Sequence, residues 1–435
     1  MKSLRLPLAL LALVVLPAVL SPALLNAAVQ MLIAVLFASA FNVLSGQGGM
    51  LSFGHSAYFG IGAFATVHAM GVAGSAHLLP TPLLPLAGGL GGFLLGVVAG
   101  WFSTQRSGVY FSMITLALAE LLQALAPHLA GFFGGEAGVS SMRMPAWGFS
   151  FESVTQVYYL TLAWVVLSLA ILYFYTRTPV GRLTLALREN SQRLRFLGYD
   201  VHHLRVLVFA ISAMFSGIAG GLLAVSNETA NYVLFDMPLS AEVVLNTYIG
   251  GTKLFLGPAL GAAVMKFFGY AVSDLTRSWM LYQGVLFVLV MMFMPSGVTG
   301  LFRWWSEQRA KHSIRELLPA VCATLIAAVF VAAGTVFTVE IAQRIFAEGY
   351  REMAALAGRG VWPPLQAFGR SWSPVSWLTW AIPAGLFGAG ALAGKASHFS
   401  WQRLNGEKHE LLVDGEESPG EEKSSKATET GMTAK

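Results

Sequence analysis

Apolar runs of about 20 residues recur along most of this chain, and charged residues lie largely in the segments between them. A run of that length matches a helix that crosses the hydrocarbon core of a bilayer, and a helix satisfies its own backbone hydrogen bonds there. Hydrophobic residues make up 55% and charged residues 11% of the 435 residues, whereas soluble domains carry about 25% charged residues. The sequence therefore predicts an all-α polytopic membrane protein.

The runs predict about ten core transmembrane helices, followed by about two further spans. Gly250, Gly251 and Pro258 separate two shorter apolar segments between residues 241 and 273, which predicts a tight hairpin or a re-entrant element. The other core spans are expected at about residues 6–24, 27–44, 55–72, 83–102, 109–129, 157–175, 206–225 and 281–294. The two further spans are expected at about 318–337 and 375–394.

This pattern divides the chain into three regions. Residues 1–302 form the core, and residues 303–395 form a C-terminal extension with two spans and an external segment. Residues 396–435 contain a mixed-charge run without apolar periodicity, and such a run cannot bury enough surface to offset the entropy of ordering it. We expect this last region to be a disordered cytoplasmic tail.

An arginine-rich segment, residues 176–205, interrupts the apolar runs near the middle of the chain. It contains six arginines against Glu189 and Asp200, so it cannot lie in hydrocarbon. Basic loops of multispanning proteins are retained on the cytoplasmic side. We therefore expect residues 176–205 in the cytoplasm, with 130–156 and 227–238 on the external side.

The N-terminus has two interpretations. Lys2 and Arg5 precede an apolar stretch, with small residues near Ala27, and this pattern also fits a cleavable signal peptide. We expect the first span to be retained, because the following chain is hydrophobic enough to be inserted without a separate signal. Both termini would then be cytoplasmic.

The charge and the cysteine content exclude several classes of function. The net charge of +5 does not indicate nucleic-acid binding, because the basic residues cluster in loops between spans. The single cysteine, Cys322, offers neither a disulfide nor a thiolate metal site. No nucleophile motif or clustered His, Asp or Cys set indicates a membrane enzyme. We expect no catalytic residue, metal or cofactor.

Four glycines are spaced to form one face of a helix. Gly88, Gly92, Gly96 and Gly100 recur every fourth residue. A face without side chains lets a neighbouring backbone approach closely. We therefore predict that this face packs against another helix.

Residues 41–60 interrupt an apolar sequence with small and polar residues. Irregular backbone at membrane depth is tolerated where protein covers it or a watery cavity solvates it, which favours a translocation pathway over an ordinary loop. His55 alone would more often be a hydrogen-bonded packing residue. Glu120 and Glu242 lie near expected span ends, where interfacial anchoring is an equal alternative. The candidate pathway residues are Asn42, Ser45, Gln47, Ser52, His55, Glu120 and Glu242.

The segment 41–64, FNVLSGQGGMLSFGHSAYFGIGAF, resembles the membrane permeases of ATP-driven (ABC-type) importers for branched-chain amino acids, a group that includes urea and short-amide permeases. The resemblance covers roughly residues 25–302 and stops before the extension. Further blocks agree in the family's order, at 109–121, 178–200, 240–262 and 294–301.

The resemblance implies an all-helical permease of the bacterial cytoplasmic (inner) membrane that performs no covalent chemistry. It also implies four kinds of partner molecule or surface: a second related permease, two cytoplasmic ATPase subunits, a periplasmic substrate-binding protein and the bilayer. The sequence contains no G-x-x-x-x-G-K-[ST] phosphate-binding loop, so ATP would be bound by the partner ATPases.

The block 178–200 is similar to the family's cytoplasmic coupling loop. Its leucine spacing favours short amphipathic helices whose arginines face water or an acidic partner surface. The alternative is a solvated basic loop with no partner. The candidate ATPase-coupling residues are Gly181, Arg182, Arg188, Glu189, Asn190 and Gly198.

The function expected from these features is inward transport by alternating access, coupled to ATP hydrolysis in the partners. Branched-chain or related amino acids are the default substrates by resemblance, with urea or short amides as further candidates. An ion-coupled secondary transporter or channel for a small polar solute is the alternative, because broken helices would serve it equally well. That alternative does not explain the coupling-like loop.

Overall fold

The computed structural model describes residues 5–76, 79–273, 276, 278–294, 296–311, 313–356, 362–368 and 370–416. The chain forms two compact units, Met1–Phe302 and Arg303–Lys435. The helices in chain order are α1 (Arg5–Val15), α2 (Pro22–Asn42), α3 (His55–Ala76), α4 (Leu84–Ser103), α5 (Val109–Leu125), α6 (Ala130–Phe133), α7 (Val154–Arg177), α8 (Pro179–Phe196), α9 (Val201–Asn227), α10 (Met237–Gly250), α11 (Gly257–Ser273), α12 (Trp279–Phe293), α13 (Gly297–Lys311), α14 (Ile314–Phe346), α15 (Glu348–Leu356) and α16 (Trp377–Glu416).

The fold class predicted from the sequence is confirmed: the chain is an all-α polytopic membrane protein. Within the described ranges, seven helices are long and apolar enough to cross a bilayer, or eight if α12 and α13, bent by 44°, count as one broken span. Five of the seven belong to the first unit. Several of the roughly ten expected core spans are shorter helices; α10, for example, has 14 residues, about 21 Å against about 30 Å of hydrocarbon.

The first expected span, residues 6–24, is wrong in its bounds. α1 ends at Val15, and α2 begins at Pro22. Ser21 is extended, as a residue before proline prefers, and its hydroxyl accepts a hydrogen bond from the Leu24 N–H at 3.4 Å. The proline and the serine cap therefore start a new helix inside the expected span.

The predicted glycine face is confirmed, and its partner is α9. A Cβ on Gly92 would clash with the Ala213 carbonyl and lie 2.9 Å from the Gly217 Cα. Gly217 in turn has room for no side chain against the Gly88 carbonyl. Two backbones thus touch where side chains would normally separate helices.

The two expected external segments of the core meet at one end of the first unit. Residues 130–156 contribute strand β1 (Val139–Ser140), which pairs antiparallel with β2 (Thr229–Ala230). Arg143 Nε lies 3.0 Å from Glu228 Oε1, and its guanidinium also donates to the Val225 carbonyl at 3.1 Å. These contacts fix both segments to the end of α9.

The second unit is a helical pair with a small appended cluster. α14 begins at a capping box, in which the Ser313 N–H donates to Glu316 Oε2 at 3.2 Å, and α14 packs along α16. Strands β3 (Leu365–Ala367) and β4 (Arg370–Trp372) form a hairpin, and Leu365 and Ala367 pack with Ile341 and Tyr350.

The start of the expected disordered tail differs from the structure. α16 continues to Glu416, so residues 396–416 are helical rather than disordered. The segment contains no proline, and its three glutamates and three leucines favour a helix once one is already propagating. The rest of the expected tail, 417–435, lies outside the described residues.

We predict that Gly92→Ala lowers the midpoint of thermal unfolding in detergent, because the methyl group forces α4 and α9 apart. Overpacking of this kind costs about 1–3 kcal/mol. The matched control is Gly284→Ala on α12, where a Cβ would meet no described atom within 4 Å. Equal midpoints for the two variants would contradict the close α4–α9 contact.

Candidate functional site

The interruption predicted at residues 41–60 is a helix break with its own hydrogen bonds. After α2, residues Val43–Gln47 form a π-helical turn, a local widening that often marks functional sites. The Gly48 N–H donates to the Val43 carbonyl and the Met50 N–H to the Leu44 carbonyl, both at 3.1 Å. The chain then runs without helix until α3 begins at His55. We call residues 43–54 the break segment.

His55 is packed in the protein interior, next to the break segment. It is fully buried among the rings of Phe41, Tyr58 and Phe209. Its Nε2 lies 2.9 Å from Ser212 Oγ, which donates to the Ala40 carbonyl at 2.7 Å. Since the serine proton is used there, His55 Nε2 carries the hydrogen, and this contact ties α3 to α9 and to the end of α2.

Hydroxyl groups connect the break segment and the start of α3 to α10. Ser45 Oγ lies 3.1 Å from the Tyr248 hydroxyl. At the start of α3, the Ser56 N–H donates to Ser240 Oγ at 2.9 Å, and Ser56 Oγ donates to the Phe235 carbonyl at 2.9 Å. A movement of the break segment would therefore strain or break its contacts with α10.

The structure brings five of the seven candidate pathway residues together. Asn42, Ser45, Ser52 and His55 are buried and Gln47 is half-buried, all within or beside the break segment. The side-chain oxygens of Asn42 and Gln47 are buried and find no hydrogen-bond partner among the described residues. Such groups are costly and suit a site that changes its contacts. A pathway role for these residues stays a prediction.

The other two candidates lie elsewhere. Glu120 is exposed on α5. Glu242, on α10, forms an ion pair with Lys266 of α11, with Nζ and Oε1 2.7 Å apart. Lys266 lies in the second of the two apolar segments between residues 241 and 273, and no local pattern indicates its partner, because the pairing depends on how two separate helices pack.

The middle of the arginine-rich segment forms α8, which consists of two short helices. Asn190 leaves the helical conformation, with φ −158° and ψ 93°, and its side-chain oxygen accepts from the Arg193 N–H at 2.9 Å. It therefore ends one helix and caps the next. Gly198, at φ +86°, follows the second helix.

Each end of α8 is anchored. A Cβ on Gly181 would clash with the Tyr175 carbonyl, so α8 starts in close contact with α7. At the other end Asp200 caps α9. Hydrogen bonds from His203, chiefly from its backbone N–H and then from its side chain, hold the pKa of the Asp200 carboxyl below its usual range. Arg182, Arg188, Glu189 and Asn190 are exposed between these anchors.

Arg188 joins the candidate coupling helix to the break segment. Its Nη1 donates a hydrogen bond to the Gly46 carbonyl, inside the π-helical turn. Gly49 packs against the same side chain, since a Cβ there would lie 2.9 Å from Arg188 Cγ. Arg106, Arg188 and Arg205 also line a cavity of about 390 Å³. The two regions singled out independently in the sequence are thus in direct contact.

Comparisons with known proteins agree on one family. The model of the family described as "Branched-chain amino acid transport system / permease component" matches residues 23–295. The high-affinity branched-chain amino acid transport system permease protein LivM of Salmonella typhimurium is 28% identical over 301 residues, which are 63% of this chain and 70% of that protein. Its namesake in Escherichia coli is 27% identical over 297 residues, 62% of this chain and 69% of that protein.

A third similar protein comes from another organism. The probable branched-chain amino acid transport permease protein LivM of Methanocaldococcus jannaschii is 28% identical over 297 residues, covering 60% of this chain and 84% of that protein. No solved structure matches the chain.

We predict that Asn190→Ala weakens the second helix of α8, because it removes the side-chain acceptor that caps the Arg193 N–H. Losing such a cap costs about 1 kcal/mol. Hydrogen exchange at the amides of residues 191–197 should accelerate accordingly. Asn190→Asp keeps the acceptor and is the control; if both variants exchange at the wild-type rate, Asn190 does not cap this helix.

Proposed function

This chain belongs to the family of permease components of branched-chain amino acid transport systems, which are membrane subunits of ABC importers, and we propose that it moves branched-chain or related amino acids inward by alternating access. ATP would be hydrolysed by two partner subunits docked on α8, with a second permease completing the pathway and a soluble protein delivering the substrate. Urea and short amides are further candidate substrates within the same mechanism.

The observation that carries the proposal is the contact between Arg188 and the Gly46 carbonyl. α8 carries exposed arginines such as Arg182, and its Arg188 binds the break segment. A movement of a partner docked on α8 could therefore be transmitted to the membrane interior. The break segment is suited to respond, since its backbone after the π-helical turn is not held by a continuous helical ladder of hydrogen bonds.

The anchoring of α8 supports the same role. The Tyr175 hydroxyl lies 2.9 Å from Thr184 Oγ1, and the Gly181 N–H donates to Thr178 Oγ1 at 3.1 Å. Because α8 is fixed in this way to the end of α7, a force on α8 would tilt a spanning helix as well as shift the break segment. Rocking of spans around a central site is how alternating access operates.

The membrane orientation that this mechanism needs can be tested by labelling. In a Cys322→Ser background, which removes the single cysteine, we predict that Met142→Cys reacts with an impermeant maleimide in intact spheroplasts. Arg182→Cys should react only after the membrane is opened. Both positions are exposed, so access to the residue itself is matched. Labelling of position 182 from outside would overturn the orientation and the mechanism.

The coupling role can be tested by reversing the charge at an exposed position of α8. We predict that Arg182→Glu reduces transport-coupled ATP hydrolysis by about tenfold or more in the reconstituted importer, since charge pairs at interfaces typically contribute a few kcal/mol. Substrate-stimulated phosphate release in proteoliposomes is the measurement. Arg370→Glu, at an exposed position of the second unit, is the control and should leave the rate unchanged.

Two outcomes would count against the proposal. Wild-type coupling in Arg182→Glu would remove α8 as the ATPase contact. Uptake by this chain alone, driven by an ion gradient without ATPase subunits, would favour the ion-coupled transporter instead.

A further inference from the structure

A cavity of about 680 Å³ lies among α2, α10, α11 and α12 in the first unit. A smaller cavity of about 100 Å³ lies beside it, and the two share lining residues. Their combined volume is within the range of about 300–1,000 Å³ that small-molecule sites occupy. The residues that line both cavities are Gln30, Leu234, Leu239, Glu242 and Lys266.

One negative and one positive charge face this space together. Glu242 and Lys266 pair at 2.7 Å, and their side chains remain 26% and 35% exposed, so a ligand can reach both. Ion pairs that are partly withdrawn from water gain little net free energy, and apolar residues of similar size often stabilise a protein equally well. The pair therefore calls for an explanation beyond stability.

Asn246 supplies an unused acceptor next to the pair. It is 2% exposed and lines the smaller cavity, and its Nδ2 donates to Glu242 Oε1 at 3.4 Å. Its side-chain oxygen finds no partner among the described residues. A buried acceptor left unpaired is costly, and a donor on a bound ligand would recover that cost.

The remaining wall of the smaller cavity is apolar. It contains Ile33, Phe37, Phe59 and Leu223, with Leu234 and Leu239 from the shared lining. A surface of this kind favours an aliphatic group over a polar one.

We propose that these two cavities form a binding site for a zwitterionic α-amino acid with an aliphatic side chain. The ligand carboxylate pairs with the Lys266 ammonium group, while the ligand ammonium group donates to Glu242 and to Asn246 Oδ1. The internal ion pair occupies the site when it is empty, so charge is balanced in both states. The choice of substrate class rests on the proposed function, but the site itself is argued from the ion pair and the unpaired amide.

The arrangement predicts a selectivity that a merely apolar pocket would lack. A ligand that carries only one charge would break the Glu242–Lys266 pair and replace only half of it. Breaking a partly buried pair without full replacement leaves one charge without its partner, which is unfavourable. Leucine should therefore bind, whereas leucinamide, without the carboxylate, and 4-methylpentanoate, without the ammonium group, should not.

The test is the double variant Glu242→Gln/Lys266→Met in the assembled importer without its soluble binding protein. Removing both charges leaves neither one unpaired, so the fold should keep its unfolding midpoint. We expect leucine to raise this midpoint in the wild type, as a ligand of the folded state must, and not in the double variant. Leucine uptake by the complete system should fall by about tenfold or more, since hydrogen bonds to charged groups are lost.

The matched control removes the ion pair of the second unit, Glu340→Gln/Arg344→Met, whose Nη1 and Oε2 are 2.8 Å apart. It should respond to leucine as the wild type does. The site would be overturned if leucine raised the unfolding midpoint of the Glu242/Lys266 variant or failed to raise that of the wild type. It would also be overturned if leucinamide and 4-methylpentanoate raised the wild-type midpoint as leucine does.

Uptake by the wild-type complete system decides the proposed function separately. Leucine import with an unchanged leucine response in the Glu242/Lys266 variant would leave the function standing and remove the site. If leucine raised the unfolding midpoint of the wild type but not of the variant, while the wild-type system imported no leucine, the site would be supported and the proposed function would be wrong.

Discussion

The structure depends on how the break segment satisfies its backbone inside an apolar environment. A chain that leaves the helix at residues 43–54 frees carbonyl and N–H groups that lipid cannot pair. The protein supplies the partners itself. The Met50 N–H donates to the Leu44 carbonyl, and the Phe53 N–H donates to Thr115 Oγ1. The Arg188 guanidinium donates to the Gly46 carbonyl. Because one of these partners belongs to α8, the break segment cannot rearrange independently of the arginine-rich segment.

Close backbone packing gives that arrangement a rigid frame. The glycine face of α4 lies directly on α9, and α9 also carries Ser212, which holds His55. α9 therefore connects the close backbone contact with α4 to the start of α3. Close helix packing beside a helix break suits a protein whose spans move as bodies around a site.

The sequence predicted the features that depend on local composition. The length of the apolar runs identified the membrane-spanning character of the chain, glycine spacing identified the α4 face, and the polar interruption identified the break before α3. It gave the wrong bounds for the first span, because the effect of Pro22 on Ser21 outweighed the apolar run. It also placed the end of α16 too early, because the polar composition of residues 396–416 hid the helix propensity of their glutamates and leucines.

The sequence by itself determined the membrane class, the family resemblance and the positions where helices are interrupted, because each is written in the order and polarity of neighbouring residues. Only the tertiary structure decided which interrupted segments touch. Arg188 and Gly46 are 142 residues apart in the chain, and Lys266 meets Glu242 from a different helix. Such pairs are set by the packing of whole helices, which no local pattern encodes.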